Sequence, residues 1–284
     1  MRSFSYLLIS LWKRILGRGR NCPSCGALNA GVPIDRKWIV TSVERCCKCH
    51  LLYRVPTTTE LENERIYQAE YTEGFTTDLP GLATLEKLKS TNFKNSEKDY
   101  SGYVDVLRSL NIEIGAALYD FGCSWGYGSY QLAATGFNVH GYEISRPRAR
   151  FASENLGVKL RNPWEISSNS MDVFFSAHVI EHVPSVQAML ELADRILRPG
   201  GWFVAFTPNG CLERRRVDPA GWHHNWGFVH PQLLDQKWIA HARPKASRVV
   251  VDTTPYDLDA IRNGKMVSNW EGSELLFAYQ KGKQ

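Results

Sequence analysis

From residue 117 onward, apolar runs alternate with amphipathic stretches. ALYDFG (117–122) reads as a strand, and YGSYQLAATG (127–136) as a helix ended by Gly136. NVHGYEIS is the next strand and PRARFASENLG a helix; VKLRN gives a short strand and MDVFFSAHV a buried one. In SVQAMLELADRILRPGG, Val186, Met189, Leu190, Ala193, Ile196 and Leu197 share one helical face, and Pro199-Gly200-Gly201 ends it. WFVAFTPN reads as a strand, HPQLLDQKWIAHA as a helix, and SRVVVDTT and ELLFAYQK as strands. This alternation predicts an α/β fold over residues 113–284, a doubly wound, mostly parallel, seven-stranded, Rossmann-like sheet.

Upstream, the spacing predicts helices in TELENERIYQAEY, LATLEKLKST and YSGYVDVLRSL, so residues 56–112 form a helical linker or cap. DLPG and NFKNSEKD are connections. In residues 1–20, Phe4, Leu8, Leu11, Trp12 and Ile15 recur at helical spacing. Such a helix either lies on anionic lipid, giving peripheral membrane contact, or packs on the protein's own surface. It has no small-residue cleavage site, so it does not read as a signal peptide. No stretch approaches the roughly 18 apolar residues of a membrane span.

Charge refines this picture. The chain of 284 residues has 34 basic and 29 acidic side chains, a net +5. Residues 1–20 hold Arg2, Lys13, Arg14, Arg18 and Arg20 and no acid, so the rest of the chain is balanced at 29 of each sign. That balance argues against nucleic acid as a partner, because phosphate contacts need clustered cations.

Seven cysteines are present, five of them within residues 22–49. An odd, clustered set suits metal ligation in a reducing compartment, so a cytoplasmic protein is expected, or one peripheral to the inner face of a membrane. Cys22-x-x-Cys25 and Cys46-x-x-Cys49, separated by 20 residues, read as a tetrahedral Zn2+ site and make residues 21–55 a zinc-ribbon-like module. Cys47 and His50 offer a competing second pair; Cys46 and Cys49 repeat the spacing of the first. Four thiolates leave no open coordination position, so a structural ion is expected and a redox role is the outsider.

The stretch DFGCSWGYG (120–128) lies between the first strand and its helix, and Glu143 follows 21 positions after Gly122. Glycines allow φ > 0 and close backbone approach, and an acid at the end of the second strand suits ribose hydroxyls. The dinucleotide pattern G-x-G-x-x-G fails at Ser124 and Tyr127. Asp120 suits a cationic ligand better than a pyrophosphate. The bland alternative is a glycine turn with no ligand.

At these residues the chain resembles the class I S-adenosylmethionine-dependent methyltransferases, over about 115–281. The resemblance rests on LYDFGCSWGYGSYQLAATGFNVHGYEIS, MDVFFSAHVIEHVPS and LRPGGWFVAFTPNG, in that order. It implies S-adenosyl-L-methionine as cofactor, with Asp120, Gly122, Cys123 and Gly126 around its methionine part and Glu143 on the ribose. His178 would also lie against it. The chain departs from the family at Ser124-Trp125, so the loop is either tighter or covered by Trp125. It departs again at LRNPWE, where Asn162 would accept from the adenine amine and Trp164 would stack on the ring. The cysteine pairs before such a domain are also similar to methyltransferases acting on sugars and on polysaccharide or secondary-metabolite precursors.

Methyl transfer to a hydroxyl needs a base. His178 and His182, oriented by Glu181, are candidates, as are His223 and His224 in GWHHNWGFVHP, where His230 and the flanking Trp222 and Trp226 suit a flat acceptor face. Each histidine also has a structural reading. The ERRR run at 213–216 reads as a phosphate contact or, more commonly, a solvated loop; Cys123 and Cys211 read as core thiols. The expectation is O-methylation of a small-molecule, glycan or lipid-linked sugar acceptor. The alternatives are an RNA or protein methyltransferase gripping its polymer through the zinc module, and a non-catalytic S-adenosylmethionine-binding protein. No Asn/Asp-Pro-Pro-Tyr/Phe segment follows the fourth strand, which disfavours a base amine. Neither the acceptor atom nor the oligomeric state is written in these motifs.

Overall fold

The computed structural model describes residues 2–28, 33–65, 78–242, 246–264 and 269–282. The strands are β1 (Pro33–Lys37), β2 (Thr41–Arg45), β3 (Leu52–Val55), β4 (Ala117–Phe121), β5 (Asn138–Tyr142), β6 (Met171–Ala177), β7 (Leu197–Pro208), β8 (Gln232–Leu233), β9 (Arg248–Thr253) and β10 (Glu274–Gln280). They form a six-stranded sheet in the order β5-β4-β6-β7-β10-β9 and a four-stranded sheet in the order β1-β2-β3-β8. In the larger sheet β4 pairs in parallel with β5 and β6, and β6 with β7; β10 runs antiparallel to β7 and β9. This is the doubly wound, Rossmann-like arrangement. The segment VKLRN narrows to a single parallel bridge between Leu160 and Gly141, so the expected seventh strand is vestigial.

The apolar runs behave as strands covered on both faces should. Along β6, Phe174 packs on one face with Phe203, Phe277 and Tyr279, while Val173 and Phe175 pack on the other with Val204 and Phe206. The helix Val186–Ile196 lays its predicted stripe on the first face, and its Ser185 cap accepts from the Ala188 N–H. The helix Ser101–Ser109 covers the second face through Val104 and Leu107. The expected helices near 60 and 82 appear as Glu60–Arg65 and Leu82–Ser90; the end of TELENERIYQAEY lies outside the described residues.

HPQLLDQKWIAHA departs from the expected helix. Gln232 and Leu233 become β8, paired with Tyr53 and Leu52 of β3, and the helix begins only at Gln236. The Gln232 amide donates to the carbonyls of Ile180 and Val183 at 2.7 and 2.8 Å, while Asp235 accepts from the Trp238 N–H at 3.0 Å. Tertiary partners for these polar groups outweigh local helix propensity. The antiparallel sheet is thus completed by a strand from the far half of the chain. Trp222 and Trp226 fill the core beneath it with Val43, Leu52 and Leu233. No helix among the described residues is long and apolar enough to cross a membrane.

Candidate functional site

Strand order reverses at β4, with β5 on one side and β6 on the other, which opens a crevice at their carboxyl ends. A cavity of about 840 Å³ occupies it, lined by Gly122 after β4, Glu143 after β5 and His178 after β6. Gly122 has φ +87°, and a Cβ there would sit 2.3 Å from a Val179 methyl carbon. Its bareness therefore lets the turns after β4 and β6 touch. Gly128 likewise makes room for the Tyr100 ring, 2.3 Å from where its Cβ would be.

Glu143 is held by backbone amides: Ser124 N–H donates to Oε2 at 2.9 Å and Ser145 N–H to Oε1 at 2.7 Å, and the Ile144 amide adds a further hydrogen bond. Burial pushes its carboxyl up, and the amide at Ser145, the Arg148 charge and the amide at Ser124 oppose that shift. Phe121 and Tyr142, stacked at 5.2 Å, line the same cavity, and Trp164 stands exposed at its rim. Arg148 also lines it and donates to Ser124 Oγ at 2.8 Å. A pocket with a diol acceptor, aromatic walls and a cation suited to a carboxylate fits S-adenosylmethionine.

Asp120, Cys123 and Gly126 do not line the cavity. Asp120 is buried below the loop, where the Ser129 hydroxyl donates to it at 2.6 Å; burial raises its carboxyl to about 7. Cys123 and Trp125 are core residues, Trp125 packing on Phe93, Tyr127 and Phe151, so Trp125 supports the loop from beneath instead of covering it. Asn162 borders a smaller neighbouring pocket shared with Glu143.

Opposite Glu143, His178, Glu181, His182 and His230 form the other wall. His178 adopts φ +55°, an uncommon value for a non-glycine residue. Its Nε2 lies 2.6 Å from Glu274 Oε2 and its Nδ1 3.6 Å from Glu181 Oε1. Glu274 also accepts from the hydroxyls of Tyr103 at 2.7 Å and Tyr256 at 2.5 Å. Burial opposes a charge on His178, but the hydrogen bonds to Glu181 and Glu274 outweigh it and push the imidazole up to about 10. His178 is therefore a cation at neutral pH with no lone pair to take a proton, which corrects its expected role as base.

His182 is the opposite case. Burial pushes it down to about 4, so it is neutral. Its Nδ1 lies 2.7 Å from the Val229 carbonyl, which can only accept, so Nδ1 carries the hydrogen. Its Nε2 is then an acceptor, 3.9 Å from Glu181 Oε1. Although burial works the other way, the His178 hydrogen bond and the nearby imidazoles hold Glu181 at about 2. The donor atoms of Glu181, His182 and His230 lie within 4.8 Å of one another, close enough to hold a divalent cation as well.

His223 and His224 lie outside this wall. His223 Nδ1 is 2.6 Å from Asp35 Oδ2, which also accepts from the Trp226 indole at 2.8 Å. This contact ties β1 to the short helix Pro219–His224, and the buried tryptophans leave no flat acceptor face there. The ERRR run lies in the helix Leu212–Val217. Sequence reasoning missed Tyr103, Tyr256 and Glu274. They lie far apart along the chain and belong to no local motif.

The four sulfurs of Cys22, Cys25, Cys46 and Cys49 converge within 4.8 Å, with Cys22–Cys49 at 3.5 Å and Cys25–Cys46 at 3.6 Å. A tetrahedral zinc with four thiolates would space its sulfurs about 3.8 Å apart. Backbone amides of Ser24 and Cys49 point at the Cys22 and Cys46 sulfurs. Cys47 is exposed, and His50 packs edge-on against His241, so the competing pair is not part of the cluster.

The fold is an α/β domain of the Rossmann-like methyltransferase class. Residues 119–205 match the family model described as methyltransferase domain, and this part of the chain is such a domain. The chain is 37% identical over 138 residues to the ubiquinone biosynthesis O-methyltransferase of Paramagnetospirillum magneticum, covering 46% of this chain and 55% of that protein. It is 31% identical over 160 residues to the enzyme of the same name from Methylobacterium sp. strain 4-46, covering 49% and 62%. The chain thus spans under two thirds of the length of these relatives. Among solved structures it is similar to the geranyl diphosphate C-methyltransferase of Streptomyces coelicolor, with a TM-score of 0.49 and 17% identity, covering 69% of this chain and 81% of that one.

Proposed function

We propose that the protein transfers a methyl group from S-adenosylmethionine to a hydroxyl of a small-molecule acceptor. One observation carries the reading: a single cavity joins the diol-binding Glu143 to the His178–Glu181–His182 wall. Relatives named as O-methyltransferases support the reaction type. When bound, the cofactor supplies an electrophilic methyl. Glu143 orients the ribose, the aromatic pair Phe121–Tyr142 flanks the nucleoside, and Arg148 faces the carboxylate. The acceptor lies against Tyr103 and the His178 imidazolium, whose charge favours the developing alkoxide. His182 Nε2 takes the hydroxyl proton, and the neighbouring Glu181 carboxylate stabilises the imidazolium so formed.

Glycan or lipid-linked sugar acceptors are the narrower version of the same reading. An RNA acceptor is disfavoured by the cavity's own charge: Glu60, Glu64, Glu97, Asp99, Glu143 and Glu181 line it against Lys98, Arg148 and the His178 cation. We further propose that Cys22, Cys25, Cys46 and Cys49 hold a structural zinc ion, which fastens the antiparallel sheet to the domain.

Calorimetry tests the cofactor. S-adenosylmethionine should bind and NAD should not. Glu143→Ala should weaken binding about 30- to 150-fold, the loss of charge-assisted hydrogen bonds worth about 2–3 kcal/mol. Binding of NAD alone, or an unchanged affinity in the variant, would overturn the reading.

A further inference from the structure

The helix Arg2–Ile15 sits on the protein the wrong way round for a globular surface helix. Such a helix normally turns its apolar stripe to the core. Here the inward face is mostly polar or aromatic. Ser10 is buried, Lys13 Nζ donates to the Thr57 carbonyl at 3.0 Å and to Glu62 at 2.6 Å, and Tyr6 packs on Phe228 at 4.7 Å. Outward point Leu8, Ile9, Leu11, Trp12, Ile15 and Leu16, with Trp12 57% and Ile15 73% exposed.

A second element extends the same face. Arg14 donates to the Ile39 carbonyl at 3.3 Å and to Ser42 Oγ at 2.9 Å, which clamps the helix to the β1–β2 hairpin. At the tip of that hairpin Trp38 and Ile39 are 72% and 85% exposed. They hold φ of +55° and +63°, conformations that bulky side chains avoid. Two large apolar residues displayed on a strained turn beside an outward apolar stripe form one patch, and patches of this kind mark interaction surfaces.

We infer that the helix Arg2–Ile15 and the Trp38–Ile39 tip together form a docking surface for an anionic lipid bilayer. Charge selects this occupant. Residues 1–20 carry five cations and no acid; Lys13 and Arg14 of these are tied to the protein, while Arg18 and Arg20, with Arg36 of the hairpin, are exposed. Basic residues flanking outward Trp, Leu and Ile are the chemistry of an interfacial helix. The position also has a use. The helix rests on Phe228 and Glu62, neighbours of the cavity-lining His230, Glu60 and Glu64. A docked protein would hold that side of its cavity close to the membrane, where an amphiphilic acceptor resides.

Flotation of the full chain with vesicles tests this. The protein should float with phosphatidylcholine vesicles containing about 30% phosphatidylglycerol, and much less with phosphatidylcholine alone. Trp38→Ser/Ile39→Ser, and separately Trp12→Ser/Ile15→Ser, should each cut the bound fraction about tenfold, because each removes two inserted apolar side chains. All these side chains are exposed, so both variants should keep the wild-type melting temperature and zinc content. Three results would overturn the proposal: no flotation of the wild type, a hairpin variant that floats like the wild type, or a wild-type dimer in solution that these substitutions dissociate. None of them bears on cofactor binding, which is measured separately.

Discussion

Asp120→Asn replaces a buried carboxyl with a neutral group of the same shape that still accepts from the Ser129 hydroxyl. Burial raises the Asp120 pKa from 3.8 to about 7, because a charge at the centre of the sheet loses its hydration. The folded state therefore holds a proton that the unfolded chain releases above pH 3.8. Each unit of that shift is worth about 1.4 kcal/mol, so the ionisable carboxyl costs about 2 kcal/mol of stability at pH 5.5 and about 4 kcal/mol at pH 8.5. The cost grows up to the folded pKa and is constant above it. Leaving the new amide N–H without a partner costs roughly 1–3 kcal/mol, independent of pH. The diagnostic quantity is thus the change with pH. Relative to wild type, the variant should gain about 2 kcal/mol between pH 5.5 and 8.5, measured by urea unfolding of both chains without cofactor. A difference that stays flat within about 0.5 kcal/mol, or that runs the other way, would show that the carboxylate is satisfied where it lies.

Cys46→Ser and Cys49→Ser should each lose the bound zinc measured by atomic emission, whereas Cys47→Ser should retain it; equal retention by all three would remove the metal assignment. His178 is held charged up to about pH 10, so its ion pairs contribute fully below its ordinary value of 6.5 and are lost as pH rises through about 10. The wild type should therefore show a stability loss towards pH 10 that His178→Gln lacks. His182→Gln should lower kcat with little change in the dissociation constant for the cofactor, while His223→Gln should leave kcat near wild type; the reverse pattern would move the base to the loop at 223.

The alternation of apolar runs and amphipathic helices from residue 117 determined the α/β architecture, because a strand buried on both faces and a helix buried on one leave distinct periods in the chain. The loop from Asp120 to Gly128, the acid at 143 and the His-x-x-Glu-His segment were legible for a related reason: each follows a strand, and in a parallel sheet the strands' carboxyl ends share one crevice. The cysteine spacing located its cluster as well, since two tight turns with paired thiols can meet at one point. Only the tertiary structure decided which histidine could act as a base. His178 and His182 are equivalent by composition, and their opposite charge states come from Glu181 and Glu274, the latter brought in by the last strand, which hold His178 charged, and from the burial that keeps His182 neutral. It also placed Asp120 beneath the loop, moved Trp222 and Trp226 into a core, and turned HPQLL into a strand. Pattern along a chain reports whether a residue faces a core or water. Partners distant in sequence set its charge, its hydrogen bonds and the direction it points, and those exist only once the chain has folded.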